Sequence, residues 1–409
     1  MSVRSLPLFV LAACAGGGVV DNVPQADCAQ AQVLGTPGEL GRLSLPLRWR
    51  YDAALGASVS DAVAVRIPAD ASGVSVTVDA GDASAGLLRA RIDDQGLIVG
   101  APMRLGGARV ATEATFLDTS EDTADPAWLS WLPGWGQPPL FHDPAPSGTA
   151  ALPLSPDAMP REGCLEVVPV APGRNLEAYD GELRFVVRRY EPASPIIDLN
   201  VVVPEGVQIT DDEIASALAR VRDIYAGGGA PEIGEVSVFE VPASLAFVGF
   251  RGSSLFRLRA VDLPGSRQTA VNLFFVTDFF DASGTLGVAA GIPGPVAQQG
   301  LAGAGVVMSV DTHRRASGDI DLGMLGDTIA HEVGHQLGLF HTSEASGDAF
   351  DPLPDTPECP VDRFGDDGEV YAEDCPDGEN FMFWTAGDLP QTQMSPWQAR
   401  VLRSSTATR

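Results

Sequence analysis

The sequence predicts two domains: an all-β, sandwich-like domain over residues 41–190, then an α/β (α+β) domain over 191–409. Three observations predict this. The first half strings together short β-branched or alternating runs, separated by Gly, Asp, Pro and Ser turns. The second half interleaves strand runs with helical segments. Between them stands "EPASP" (191–195), with the composition of a linker. At 409 residues, the chain is long enough to bury two cores.

In the first domain the strand runs are "AVAVRIP" (62–68), "VSVTVDA" (74–80), "LLRARID" (87–93), "LEVVPV" (165–170) and "ELRFVVRRY" (182–190). The aromatic, Pro-rich stretch at 128–146, with His142 inside it, reads as an insertion folded onto the sandwich. In the second domain "IDLNVVV" (197–203), "VSVFEV" (236–241), "AVNLFFVTD" (270–278) and "GAGVVMSV" (303–310) read as strands, with "GVAAGIP" (287–293) as a short edge strand. "TDDEIASALARVRDIYA" (210–226) is an amphipathic helix: Thr210 is a good N-cap, Glu213 completes a capping box, and a Gly run stops it. "MLGDTIAHEVGHQLG" (324–338) is a second helix, ended by Gly338. "SPWQARVLR" supplies a third, with Ser395 at the N-cap and Pro396 at the first helical position. His313, just past the strand at 303–310, reads as a loop residue.

The amino terminus has the shape of an export signal: Arg4, then a short apolar run from Leu6 to Ala13. That run falls short of the roughly 20 apolar residues a span needs. The four residues ending at Cys14, "LAAC", resemble the bacterial lipobox, in which the Cys carries lipid. Residues 1–14 are therefore expected to be a signal peptide, Cys14 the lipidation site and 15–40 a tether. A plain secretory signal is the alternative. The expected location is outside the cytosol, on the cell surface or outer membrane, with any membrane contact through the lipid alone.

Five cysteines fit that compartment. With Cys14 set aside, four remain and allow three pairings. The expected pairing joins Cys359 to Cys375 across a short loop and leaves Cys28 with Cys164. A net charge of −28 excludes nucleic acid as a partner, since phosphate binding needs basic patches. A monomer is expected.

The chemistry gathers in "HEVGHQLGLFH" (331–341), which holds three of the five histidines. His331 and His335, four apart on a helix, project from one face and can reach one metal. Glu332 points to the side, where a general base for water belongs. Gly338 turns the chain so that His341 can return as a third ligand. Three nitrogens leave a coordination position open, the mark of a catalytic rather than a structural zinc site.

This HExxHxxGxxH spacing resembles the metzincin signature. "NFMFW" (380–384) places Met382 where that superfamily keeps its Met-turn. With "DTPEC" (355–359) and "SPWQARVLR", the motifs resemble the pappalysin/cytophagalysin branch across roughly 196–405. The resemblance implies a mixed five-stranded sheet, an active-site helix, a Met-turn and a C-terminal helix. It implies a zinc metalloendopeptidase acting on proteins or peptides, with substrate extended along the edge strand. The branch usually has Tyr two residues past the Met; here Trp384 offers only an indole N–H.

Between Glu344 and Glu379 stand thirteen acidic residues against one Arg. Members of the resembling family hold calcium near this loop, and Asp348, Asp351 and Asp355 are the candidate ligands here. The other reading of the loop is a solvated acidic surface. The other reading of the chain is a non-catalytic surface lipoprotein on a degenerate scaffold of the same fold.

Overall fold

The computed structural model describes residues 26–53, 57–80, 84–92, 97–99, 103–105, 108–110, 145–146, 148–152, 163–172, 175–190, 192–249, 253–301, 303–347, 350–351, 353, 355–365, 368–387 and 389–409. The expected signal peptide, Cys14 and most of the 128–146 stretch with His142 lie outside them.

The first domain holds a four-stranded antiparallel sheet in the order Gly148–Leu152, Gly73–Asp79, Gly181–Arg188, Leu40–Leu47. A second sheet is centred on Gly163–Pro172, which pairs with Val63–Ile67, Ala57–Ser60 and Ser84–Ile92. The expected tether ends sooner than its composition implies. Leu34 is buried, and Gln32–Val33 adds to the second sheet in parallel with Val63–Ile67.

Gly73–Asp79 is buried on both faces. Val74, Val76 and Val78 serve the sandwich core, whereas Ser75 and Thr77 face the second domain. Ser75 Oγ meets Thr406 Oγ1 at 3.1 Å, and Thr77 Oγ1 accepts from Gln298 Nε2 at 2.9 Å. Alternation along the strand decides this: side chains two apart share a face, and this strand has two faces to cover.

The second domain is built on five strands, β1 (Ile196–Pro204), β2 (Glu232–Val241), β3 (Val271–Val276), β4 (Gly287–Ala289) and β5 (Val306–Ser309). Their order is β2-β1-β3-β5-β4. All pairs are parallel except β4, which runs antiparallel to β5 on the edge. The sheet is mixed and five-stranded, as expected. Its helices are α1 (Asp211–Gly228), α2 (Ser253–Arg259), α3 (Leu322–Leu337) and α4 (Pro396–Ser404).

Sheet alternation again sorts the core. Leu273, Phe275, Val306 and Met308 pack with α1 and α3 on one face. Phe274, Val276 and Val307 pack with Leu255 and Leu258 of α2 on the other. The caps are those the sequence shows: Thr210 and Glu213 form a capping box on α1, and Ser395 and Gln398 form one on α4. Asp321 caps α3 by accepting from Met324 N at 3.2 Å.

Helices α1 and α3 lie close because Gly326 has no side chain; a Cβ there would fall 2.7 Å from the Ala217 carbonyl. Tyr225, fully buried, donates across the gap to the Ala330 carbonyl at 3.1 Å. His313 is no open loop residue. It is buried on a turn after β5, its Nδ1 donating to Ser309 O and its Nε2 facing Thr328 Oγ1 of α3. Among the described residues, no helix is long and apolar enough to cross a membrane.

Candidate metal centre

Helix α3 carries His331 and His335 on one face, and it ends where the sequence says it must. Gly338 is left-handed at φ 116°, and its N–H returns to Gly334 O and His335 O. The chain then doubles back and brings His341 to the other two.

The three imidazoles converge through Nε2. His331 Nε2 lies 3.2 Å from His341 Nε2, and His335 Nε2 lies 3.1 Å from it. Each Nδ1 faces an oxygen that can only accept, so each ring holds its proton there. His331 donates to Phe381 O at 2.8 Å, His335 to Leu339 O at 2.6 Å, and His341 to Glu344 Oε2 at 3.0 Å. That leaves three Nε2 lone pairs pointing inward, the outer hydrogen bonds a metal-binding histidine ordinarily makes. Burial also pushes His331 down to about 4, which keeps it neutral. A tetrahedral zinc with nitrogens at 2.0–2.1 Å needs them about 3.3 Å apart, and the two spacings to His341 fit that. Among the described residues these three form the one histidine cluster able to hold a metal.

Glu332 is buried beside them. Burial raises its carboxyl to about 7, against the pull of the Ala289 amide and the Arg259 charge, both of which lower it. A raised proton affinity is the direction a general base needs. It packs against β4: a Cβ on Gly287 would fall 2.9 Å from Glu332 Cγ.

Met382 lies fully buried beneath the helix, its sulfur 2.6 Å from where a Cβ on Gly334 would stand. The Met382 carbonyl accepts from Thr342 N at 3.1 Å, tying the turn to the residue after His341. The turn is held from below. Asn380 Oδ1 accepts from Met382 N at 2.9 Å and from Gln398 Nε2 of α4 at 3.0 Å.

Trp384 does not stand in for a hydroxyl at the site. Its indole N–H donates to Val370 O at 2.8 Å, so its one donor serves the acidic loop. Of the calcium candidates, Asp351 and Asp355 are described, each with hydrogen-bond donors of its own. Asp348 lies outside the described residues. Asp351 accepts from Leu353 N and Thr356 Oγ1, whereas Asp355 takes Ser395 Oγ at 2.7 Å and Trp397 N at 3.0 Å at the start of α4.

Cys359 and Cys375 form the expected disulfide, with Cα atoms 5.4 Å apart. Cys164 is buried and disulfide-bonded, while the side chain of Cys28, its expected partner, lies outside the described residues. The residues that orient the histidines escaped sequence reading. Phe381 and Leu339 act through backbone oxygens, which no residue type marks. Glu344, three residues past His341, is hidden among its acidic neighbours.

No curated protein matches the chain. Among solved structures, it is similar to mirolysin in complex with a small compound (18% identity, 52% of this chain and 92% of that one, TM-score 0.32). It is similar to metalloproteinase-II from Bacteroides fragilis (11% identity, 52% and 54%, TM-score 0.30). It is also similar to archaemetzincin from Methanopyrus kandleri (15% identity, 53% and 90%, TM-score 0.29). Residues 265–342, which include β3, β4, β5, α3, Glu332 and all three histidines, match the model of a metallopeptidase family. The chain thus carries, over that span, a segment similar to the reprolysin-like metallopeptidases of family M12B.

Proposed function

We propose that the protein is an exported, zinc-dependent endopeptidase, carried on the cell surface by a lipid on Cys14, with residues 191–409 as its catalytic domain. One observation carries the catalytic reading: the Nε2 atoms of His331 and His335 each lie 3.1–3.2 Å from that of His341 while every Nδ1 is tied to an acceptor. His331, His335 and His341 hold the zinc. A zinc ion there supplies Lewis acidity to a peptide carbonyl and makes a water easier to deprotonate.

The chain supplies the rest. Glu332 takes a proton from the attacking water and passes it to the leaving amine. β4 is the edge strand beside the histidine helix and offers backbone pairing to an extended peptide. The pappalysin-like reading is supported by where its scattered motifs meet. Asp355 of "DTPEC" caps the "SPWQ" helix, and Asn380 of "NFM" pairs with Gln398 of that helix.

The test is zinc content by metal analysis together with casein hydrolysis. Expected are one zinc per chain and hydrolysis abolished by a chelator. Glu332→Gln should keep the zinc and lose about 10²- to 10⁴-fold in rate. A second reading is a non-catalytic surface protein, favoured by the commitment of the Trp384 donor to Val370. Zinc bound but no hydrolysis in the wild type would establish that reading instead.

A further inference from the structure

Arg259, the last residue of α2, is 3% exposed, in the apolar layer of Leu255, Leu258, Phe274 and Val307. Its Nη2 donates to the Val288 carbonyl of β4 at 3.1 Å, and its Nε is buried without a partner. Among the described residues no carboxylate lies within ion-pair distance of it. A buried, unpaired guanidinium is costly, so its place in an apolar layer calls for a compensating partner. The charge it faces is Glu332, across β4.

The two residues grip one peptide group from opposite sides. Arg259 takes the Val288 carbonyl, and the N–H of the same peptide bond, that of Ala289, acts on the Glu332 carboxylate. Glu332 also presses on the strand at Gly287 from the α3 face. A three-residue edge strand with a partner on one side only has little else to fix it.

We propose that Arg259 is a positioning residue of the cleft. From behind β4 it holds the Val288 carbonyl, and so sets the strand where it receives an extended peptide. This rests on the peptidase reading of the site. It makes Val288 a residue whose carbonyl is withheld from substrate.

The experiment uses the full zinc-loaded chain with Arg259→Met and Arg259→Lys, read by hydrogen–deuterium exchange and by casein hydrolysis. Loss of a hydrogen bond from a charged donor should raise amide exchange across 286–290 about tenfold or more. Exchange across 322–338 and zinc content should stay at wild-type levels. KM for casein should rise about tenfold, with kcat changed less than KM. Arg259→Lys, which keeps a cationic donor, should restore both readouts in large part.

Unchanged exchange across 286–290 in Arg259→Met would overturn the proposal. So would a fall in kcat at constant KM. If Arg259→Met does not fold, Arg259→Lys decides: wild-type zinc with an intermediate KM and intermediate exchange supports the role, and wild-type values of both overturn it. A wild-type protein that does not hydrolyse casein would sink the peptidase reading, while the exchange data would still decide whether Arg259 holds the strand.

Discussion

Met382 and Gly334 meet where no side chain can come between them: a Cβ at 334 would stand 2.6 Å from the Met382 sulfur. The contact sets the height of the turn under the helix. That height matters because the neighbouring Phe381 carbonyl holds His331 Nδ1.

Gly334→Ala should therefore act on the metal as well as the fold. Alanine favours the helix by up to about 1 kcal/mol, but overpacking a buried contact costs about 1–3 kcal/mol. The displaced turn carries the Phe381 oxygen with it, so zinc affinity should fall about tenfold or more. Competitive titration with a chromogenic chelator measures this. Unaltered affinity would mean that the turn does not orient His331.

Gly287→Ala should separate chemistry from metal binding. The new Cβ would lie 2.9 Å from both Glu332 Cγ and Met308 Cε. A displacement of the carboxylate by a fraction of an ångström should lower kcat/KM about tenfold or more, with zinc content intact. Full activity with full zinc would show that the strand does not brace Glu332.

Arg188→Met tests the union of the two domains. This guanidinium, 1% exposed on the strand Gly181–Arg188, donates to the carbonyl of Arg403 in the last turn of α4 and to those of Ser405 and Thr408 beyond it. Removing it strands several buried acceptors, at about 1–3 kcal/mol for each one left unmet. Urea denaturation should show a loss of at least about 3 kcal/mol, or a separate early transition for one domain. A shift under about 1 kcal/mol would mean that the C-terminal segment finds other donors.

His313 should make the protein acid-sensitive. Burial lowers its pKa below the ordinary 6.5. Above that value the ring is neutral in both folded and unfolded chains, and it imposes no penalty. As pH falls below it the unfolded chain takes up the proton first, so stability is lost until the folded-state pKa is reached. His313→Gln removes the titration and keeps a donor for Ser309 O. Its melting temperature should fall less than the wild type's between about pH 6.5 and 5. Parallel curves would show that this ring does not titrate on unfolding.

Much was legible in the sequence because it is local. Strand and helix periods, the caps at Thr210 and Ser395, the stop at Gly338 and the His331-His335-His341 spacing each depend on residues within a turn or two. The disulfide between Cys359 and Cys375 was legible for the same reason, since its loop is short.

Trp384 shows where local reading stops. Its place after Met382 invited comparison with a site hydroxyl, but the partner of its N–H, Val370, is fourteen residues away and offers only backbone. Asp355 reads in the sequence as one carboxylate among many in an acidic loop. Forty residues later Ser395 and the Trp397 amide claim it as a helix cap. His313 looked like loop because nothing beside it says that Thr328 will cover it.

The sequence by itself determined the metal chemistry, since helix geometry alone places two histidines and a glutamate, and a glycine returns the third histidine. Only the tertiary structure decided what holds that chemistry in place: the carbonyls behind His331 and His335, Met382 against Gly334, and β4 gripped between Glu332 and Arg259. These depend on backbone atoms and on spaces left by glycine, which become partners only when distant segments pack.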